Sequence, residues 1–131
     1  VQDSHDAMSK PGKRGLARLV AATRHSADGF AAAWRNEEAF RLEASLALAF
    51  VPLAFFVGES LVHQLLLLVV CALVILAELV NTAIETVVDR IGPEQHPLSG
   101  QAKDIGSATV FVSLALFLAA WVPSLWQWWQ G

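Results

Sequence analysis

With 131 residues, 55% of them hydrophobic, and a mean hydropathy of +0.49, the chain is too apolar for an ordinary soluble domain of its size. Its net charge of −3 says little, and its single cysteine, Cys71, excludes a disulfide framework or a thiolate metal cage. A polar tail over residues 1–15 is expected to be disordered, and residues 16–131 are expected to form one domain with lipid as part of its solvent.

The first forty residues hold no continuous apolar run, so no cleavable signal peptide is expected. From Leu16 to Trp34 the pattern is helical. Leu16, Leu19, Val20, Ala27, Phe30, Ala31 and Trp34 share one face, opposite Arg18, Arg24, His25, Asp28 and Arg35. An amphipathic helix of about 16–35 that lies on an anionic membrane surface fits this pattern. The alternative is the same helix packed on a protein core.

A charged collar, residues 36–43, leads into a first span of about 38–57, with Pro52 expected to kink it. Gly58-Glu59-Ser60 reads as a tight turn. A second span of about 61–91 follows, then a loop over 92–100 with Pro93 and Pro97 in it, and Ser99 as the expected N-cap of a third helix over about 99–126. Small residues such as Gly106, Ser107, Ala108 and Ser113 allow close helix contacts in that last span. Trp121, Trp126, Trp128 and Trp129 suggest an aromatic belt at its far end. The expected fold class is therefore an all-α membrane protein, a surface helix followed by three transmembrane helices.

Seven of the nine Lys and Arg residues (Lys10, Lys13, Arg14, Arg18, Arg24, Arg35, Arg41) precede the first apolar run, and Arg90 and Lys103 flank the second loop. The first loop carries only Glu59. The positive-inside rule then places the N-terminus and second loop in the cytoplasm, and the first loop and C-terminus outside.

The second span holds the most informative pattern. After the unbroken apolar run 65–77, Glu78, Asn81, Glu85 and Asp89 recur at i, i+3, i+7 and i+11, within an arc of about 80°. Counted from Leu61, Glu78 lies about 26 Å along the helix at 1.5 Å per residue, near the inner edge of the hydrocarbon. Acids at that depth are costly and mark function by default. Partial desolvation and depth fit Glu78 as a general base acting at a lipid headgroup. Glu37 and Glu85 are hard oxygen donors suited to Mg²⁺, which takes one or two carboxylates plus substrate phosphates. Lys103 near a helix start suits phosphate.

Blander readings stand beside these. Glu85 and Asp89 also read as solvated helix-end acids, Glu37 and Arg41 as an i,i+4 ion pair, His96 as a loop histidine, and Asn81 as interhelical glue. The chain has no Walker-type Gly-rich loop and no His-Arg-Asp segment, so phosphate binding of a standard soluble type is excluded.

Three stretches carry a resemblance. They are Ala33-Trp34-x-Asn36-Glu37-x-Ala39-Phe40-Arg41-x-Glu43, then Glu78-x-Val80-Asn81-Thr82-Ala83-Ile84-Glu85-x-x-Val88-Asp89-Arg90-Ile91-Gly92, and Leu98-Ser99-Gly100-x-Ala102-Lys103-Asp104-x-Gly106-Ser107-Ala108. Together they resemble the bacterial integral-membrane diacylglycerol kinase family. The resemblance implies a homotrimer in the inner (cytoplasmic) membrane, with composite active sites at the inner face. It implies transfer of the ATP γ-phosphate to the hydroxyl of diacylglycerol or a related lipid alcohol, giving phosphatidic acid. By the same resemblance Glu78 is the general base, with Asn81 beside the reacting groups. Glu37 and Glu85 hold Mg²⁺, while Arg18, His25, Glu94, Gln95, His96, Lys103 and Asp104 surround the nucleotide. Trp34, Ala39, Phe40, Arg41, Glu43, Glu78 and Ser107 contact the lipid. His25 stands where the family usually has tyrosine, and Leu42 where glutamine is common.

The neighbouring reading is an undecaprenol kinase, which shares the catalytic motif. A reading from another class is a small multidrug-type transporter, which would hold its glutamate well inside the bilayer. Here the acids run outward towards a Lys-Asp pair, which favours a cytosolic co-substrate. A structural membrane adaptor leaves Glu78 unexplained, and no nucleic-acid partner is expected. The topology is directly testable. A Glu59→Cys variant is expected to react with an impermeant thiol reagent only from outside, and reaction only from the cytoplasm would reverse the assignment.

Overall fold

The structure is a computed structural model, which describes residues 14–131. It is all helical: α1 (Leu16–Asn36), α2 (Glu38–Val57), α3 (Leu61–Ile91) and α4 (Pro97–Gln130). Apart from Arg14 and Gly15, the expected disordered tail lies outside the described residues. The chain divides into two units, one ending at Ala32 and the other running from Ala33 to Gly131. The first is essentially α1, whose side chains over Leu16–Phe30 are almost all exposed.

In the second unit α3 is central. It packs along both α2 and α4, which barely touch each other. α2, α3 and α4 are each long and apolar enough to cross a membrane. Most of their apolar side chains are exposed in the single chain, among them Phe56, Val62 and Phe111. An isolated bundle in water would not leave such faces bare, whereas lipid or further protein can cover them.

The core lies in the half of the bundle next to the α2–α3 turn. Ala47, Ala54 and Val57 of α2 meet Leu67, Val70, Cys71 and Val74 of α3, and Trp121 of α4 closes the group. The alanines let α2 approach α3 closely. Phe50 meets Trp121 edge to face, with ring centroids 4.8 Å apart, and Phe117 likewise at 5.1 Å. Trp121 therefore departs from the expected aromatic belt. At 1% exposure it is a core residue, while Trp126, Trp128 and Trp129 remain exposed. Cys71 is buried in the same group.

Polar bonds tie this end together. Ser60 Oγ caps α3 by accepting from His63 N at 3.1 Å. His63 Nδ1 accepts from Glu59 N at 3.2 Å, so Nε2 carries the proton and donates to Ser124 Oγ at 2.8 Å. That hydroxyl donates in turn to Ala120 O. Gln64 Nε2 donates to Phe55 O and Gly58 O, the carbonyls that α2 leaves open at its C-terminus.

At the opposite end, Arg41 Nη1 donates to Trp34 O at 2.8 Å and Arg35 O at 3.2 Å, closing the last turn of α1. The i,i+4 ion pair that was the blander reading of Glu37 and Arg41 is absent. The guanidinium is engaged by carbonyls, and the only ion pair among the described residues is Lys103–Asp89. α3 stops at Gly92, whose φ of 152° a residue with a Cβ rarely adopts, and Pro93 follows. The α4 start also differs from expectation. His96, not Ser99, is the N-cap, with Nδ1 accepting from Leu98 N at 3.1 Å, and Pro97 opens the helix. Proline suits that position because its missing N–H would have no helical partner. The loop shortens accordingly to residues 92–96. Both α2 and α4 continue through their internal prolines, Pro52 and Pro123.

Leu67 is fully enclosed. Leu67→Ala is expected to cost about 2–5 kcal/mol and Leu67→Met less than about 1.5 kcal/mol. Unfolding in mixed detergent micelles measures both.

Candidate active site

The polar stripe of α3 is graded by depth. Glu78 is 3% exposed, Asn81 and Glu85 are half-buried, and Asp89 is open to solvent. Glu78 faces the foot of α2, from which Glu43 approaches it. There Phe40 and Ala44 pack with Ala33, and Ile75 and Leu79 of α3 lie against them. Phe40 is buried by this packing, whereas Trp34 and Ala39 stay exposed.

Glu43 projects from the same foot. Its carboxyl lies within hydrogen-bonding reach of Glu78 and is the strongest charged neighbour there, followed by Glu85 and Glu37. Glu43 Oε2 is enclosed without a hydrogen-bond partner. Two acids facing each other out of water form a site that can take up a proton, which suits general-base chemistry. The resemblance brought Glu43 forward only as a lipid contact, and its pairing with Glu78 went unread. The signal was present: Phe40, Glu43, Ala44 and Ala47 follow i, i+3, i+4, i+7, so Glu43 lies on the buried face of α2.

One turn further on, Asn81 Nδ2 donates to Glu85 Oε1 at 3.3 Å. Glu37 is the residue before α2, and its side chain makes no capping bond. Its oxygens are therefore open to a cation, and Glu85 keeps lone pairs beyond the one Asn81 uses. Among the described residues no three His, Cys, Asp or Glu side chains converge into a cage. Two carboxylates with lone pairs to spare still suit Mg²⁺, which keeps waters and substrate phosphates as its other ligands.

Beyond Glu85 the stripe reaches an open cavity of about 590 Å³. Asp89, Glu94, Gln95, His96 and Lys103 line it, with the Gly92-Pro93 turn and Gly100. Lys103 Nζ reaches Asp89 Oδ1 at 3.0 Å across the opening. Both groups are exposed, so the pair adds little stability and can open for an anionic guest. Asp104 and Ser107 are exposed on α4 but do not line the cavity. Arg18 and His25 belong to the first unit, where both are exposed on α1.

The fold and this site together define a multi-pass membrane protein with an enclosed acid at one end of its bundle and a polar cavity beyond it. The family model for prokaryotic diacylglycerol kinase matches residues 24–125, and the chain belongs to that family. A diacylglycerol kinase of Haemophilus influenzae is 48% identical over 107 residues, which cover 82% of this chain and 91% of that protein. One of Pseudomonas aeruginosa is 44% identical over 114 residues, covering 87% and 93%. One of Escherichia coli is 42% identical over 113 residues, covering 86% and 93%. The family match takes in every residue of the acid group and the cavity, and Arg18 lies outside it.

Proposed function

We propose that the chain is a diacylglycerol kinase, transferring the γ-phosphate of ATP to the free hydroxyl of diacylglycerol to give phosphatidic acid. The observation that carries this reading is the enclosed Glu78 at one end of the apolar bundle, continuous with a polar stripe that opens on the Lys103 cavity. Relatives named diacylglycerol kinase match over most of their length.

A lipid hydroxyl reaches protein only where the headgroup layer meets the helices, which is the depth of Glu78. There Glu78 takes the hydroxyl proton as the oxygen bonds to the γ-phosphorus and the bond to the bridging oxygen of ADP breaks. Glu43 orients the base. Lys103 and His96, with Glu94, Gln95 and Asp104, bind the nucleotide. Glu37 and Glu85 would hold Mg²⁺, which when bound neutralises phosphate charge. Ala39, Arg41 and Ser107 complete the lipid side with the exposed Trp34. Phe40 supports that side from within the packing.

Assembly as a homotrimer in the cytoplasmic membrane rests on the family resemblance, and lipid or neighbouring subunits would cover the exposed apolar faces of α2, α3 and α4. The basic bias supports an internal N-terminus and an external C-terminus.

Glu78→Gln keeps size and packing but cannot take a proton. The expected result is a kcat for dioleoylglycerol lower by about 10²–10⁴, with nucleotide and lipid KM little changed. A near-normal kcat removes Glu78 as the base, and a wild-type protein that transfers no labelled phosphate to dioleoylglycerol removes the substrate. Glu37→Gln and Glu85→Gln are each expected to raise the Mg²⁺ concentration giving half-maximal rate. Unaltered Mg²⁺ dependence in both excludes them as ligands.

A further inference from the structure

Asn81 Oδ1 is enclosed and has no hydrogen-bond partner, although Asn81 Nδ2 is bonded to Glu85. A carboxylate only accepts hydrogen bonds, so the amide must turn its N–H₂ to Glu85 and its carbonyl oxygen away from it. That oxygen then points at α4, where it meets Gly106. A Cβ built on Gly106 would collide with Asn81 Oδ1, and its next neighbour is Ile84 Cδ1 at 3.4 Å. The Gly106 hydrogen in the Cβ direction therefore faces the oxygen, and a Cα–H···O contact is the only partner available to it. Gly106 is itself buried.

We infer that Gly106 is a positioning residue for catalysis: the space left by its missing side chain seats the Asn81 amide in the orientation that holds the Glu85 carboxylate. Through Asn81 the seat links Gly106 on α4 to Glu85 on α3. A methyl group at position 106 pushes the amide off its seat, frees the Glu85 rotamer and loosens the cation site. The consequence for Mg²⁺ rests on the reading of Glu85 as a metal ligand, whereas the seat itself does not. Groups that orient a metal ligand typically change affinity or activity by about 10–100-fold.

The test uses the full chain in detergent with dioleoylglycerol, as Gly106→Ala, Asn81→Ala and the double variant. Gly106→Ala is expected to raise the Mg²⁺ concentration for half-maximal rate at saturating ATP by about tenfold, with the lipid KM within about twofold. Asn81→Ala is expected to show the same shift. Adding Gly106→Ala to Asn81→Ala is expected to cost less than about a further twofold, since the colliding atom is gone. Effects that multiply instead would mean that Gly106 acts by packing on Ile84 or the α3 backbone, which overturns the inference. Should Gly106→Ala fail to assemble, assembly of the double variant supports the seat, and its failure too overturns it.

A readout independent of turnover is the ¹⁵N-labelled side-chain amide signal of Asn81, assigned by its loss in Asn81→Ala. It is expected to move in Gly106→Ala, and an unmoved signal overturns the seat. A moved signal with unchanged Mg²⁺ dependence makes the seat purely structural and overturns Gly106 as a positioning residue for catalysis. A wild-type protein inactive on dioleoylglycerol removes the substrate reading while the amide signal still decides the seat.

Discussion

The structure depends on one costly act, the enclosure of the Glu78 carboxyl between the foot of α2 and the middle of α3. An acid held out of water needs a proton, a partner or a task. Here Phe40 and Ala44 at the foot of α2 pack with Ile75 and Leu79 of α3, and the neighbour of Glu78 is another acid. An ammonium or guanidinium in place of Glu43 would neutralise Glu78 and hold it as a carboxylate in a fixed ion pair. An acid neighbour forms no such fixed ion pair, which leaves Glu78 free to act on a proton.

The two ends of the three-helix unit are built on different principles. Next to the α2–α3 turn, interlocked aromatics and backbone-satisfying bonds from His63, Ser124 and Gln64 fix α2, α3 and α4 to one another. At the other end a polar stripe runs along α3, and two enclosed oxygens, Glu43 Oε2 and Asn81 Oδ1, are left without partners. Unmet hydrogen-bonding capacity is tolerable where a substrate or ion can supply it. The rigid end thereby holds the chemical end in register, because α3 runs unbroken through both. A 31-residue helix spans about 46 Å at 1.5 Å per residue, enough to reach from the clamp to the cavity.

Several residues that look functional in the string are occupied with holding the fold. Arg41 closes α1, His96 caps α4 through one ring nitrogen, and Phe40 is packed away. These roles do not compete with substrate contact in the same way. His96 keeps its second nitrogen for the cavity, whereas the Arg41 Nη1 bonds tether its guanidinium to the end of α1.

Helical periodicity was legible without coordinates because it is a local property: the 3.6-residue repeat puts Glu78, Asn81, Glu85 and Asp89 on one stripe whatever surrounds them. The apolar lengths of α2, α3 and α4, the stop at Gly92-Pro93 and the depth of Glu78 follow from the same local counting. What faces that stripe does not. The approach of Glu43 to Glu78, the burial of Trp121 against Phe50, and the collision that Gly106 avoids with Asn81 all join different helices. Each depends on the rotation and axial register of one helix against another, which the summed packing of dozens of small side chains sets. A residue string states which face of a helix is apolar, and only the packed bundle decides which atom of a neighbouring helix that face meets.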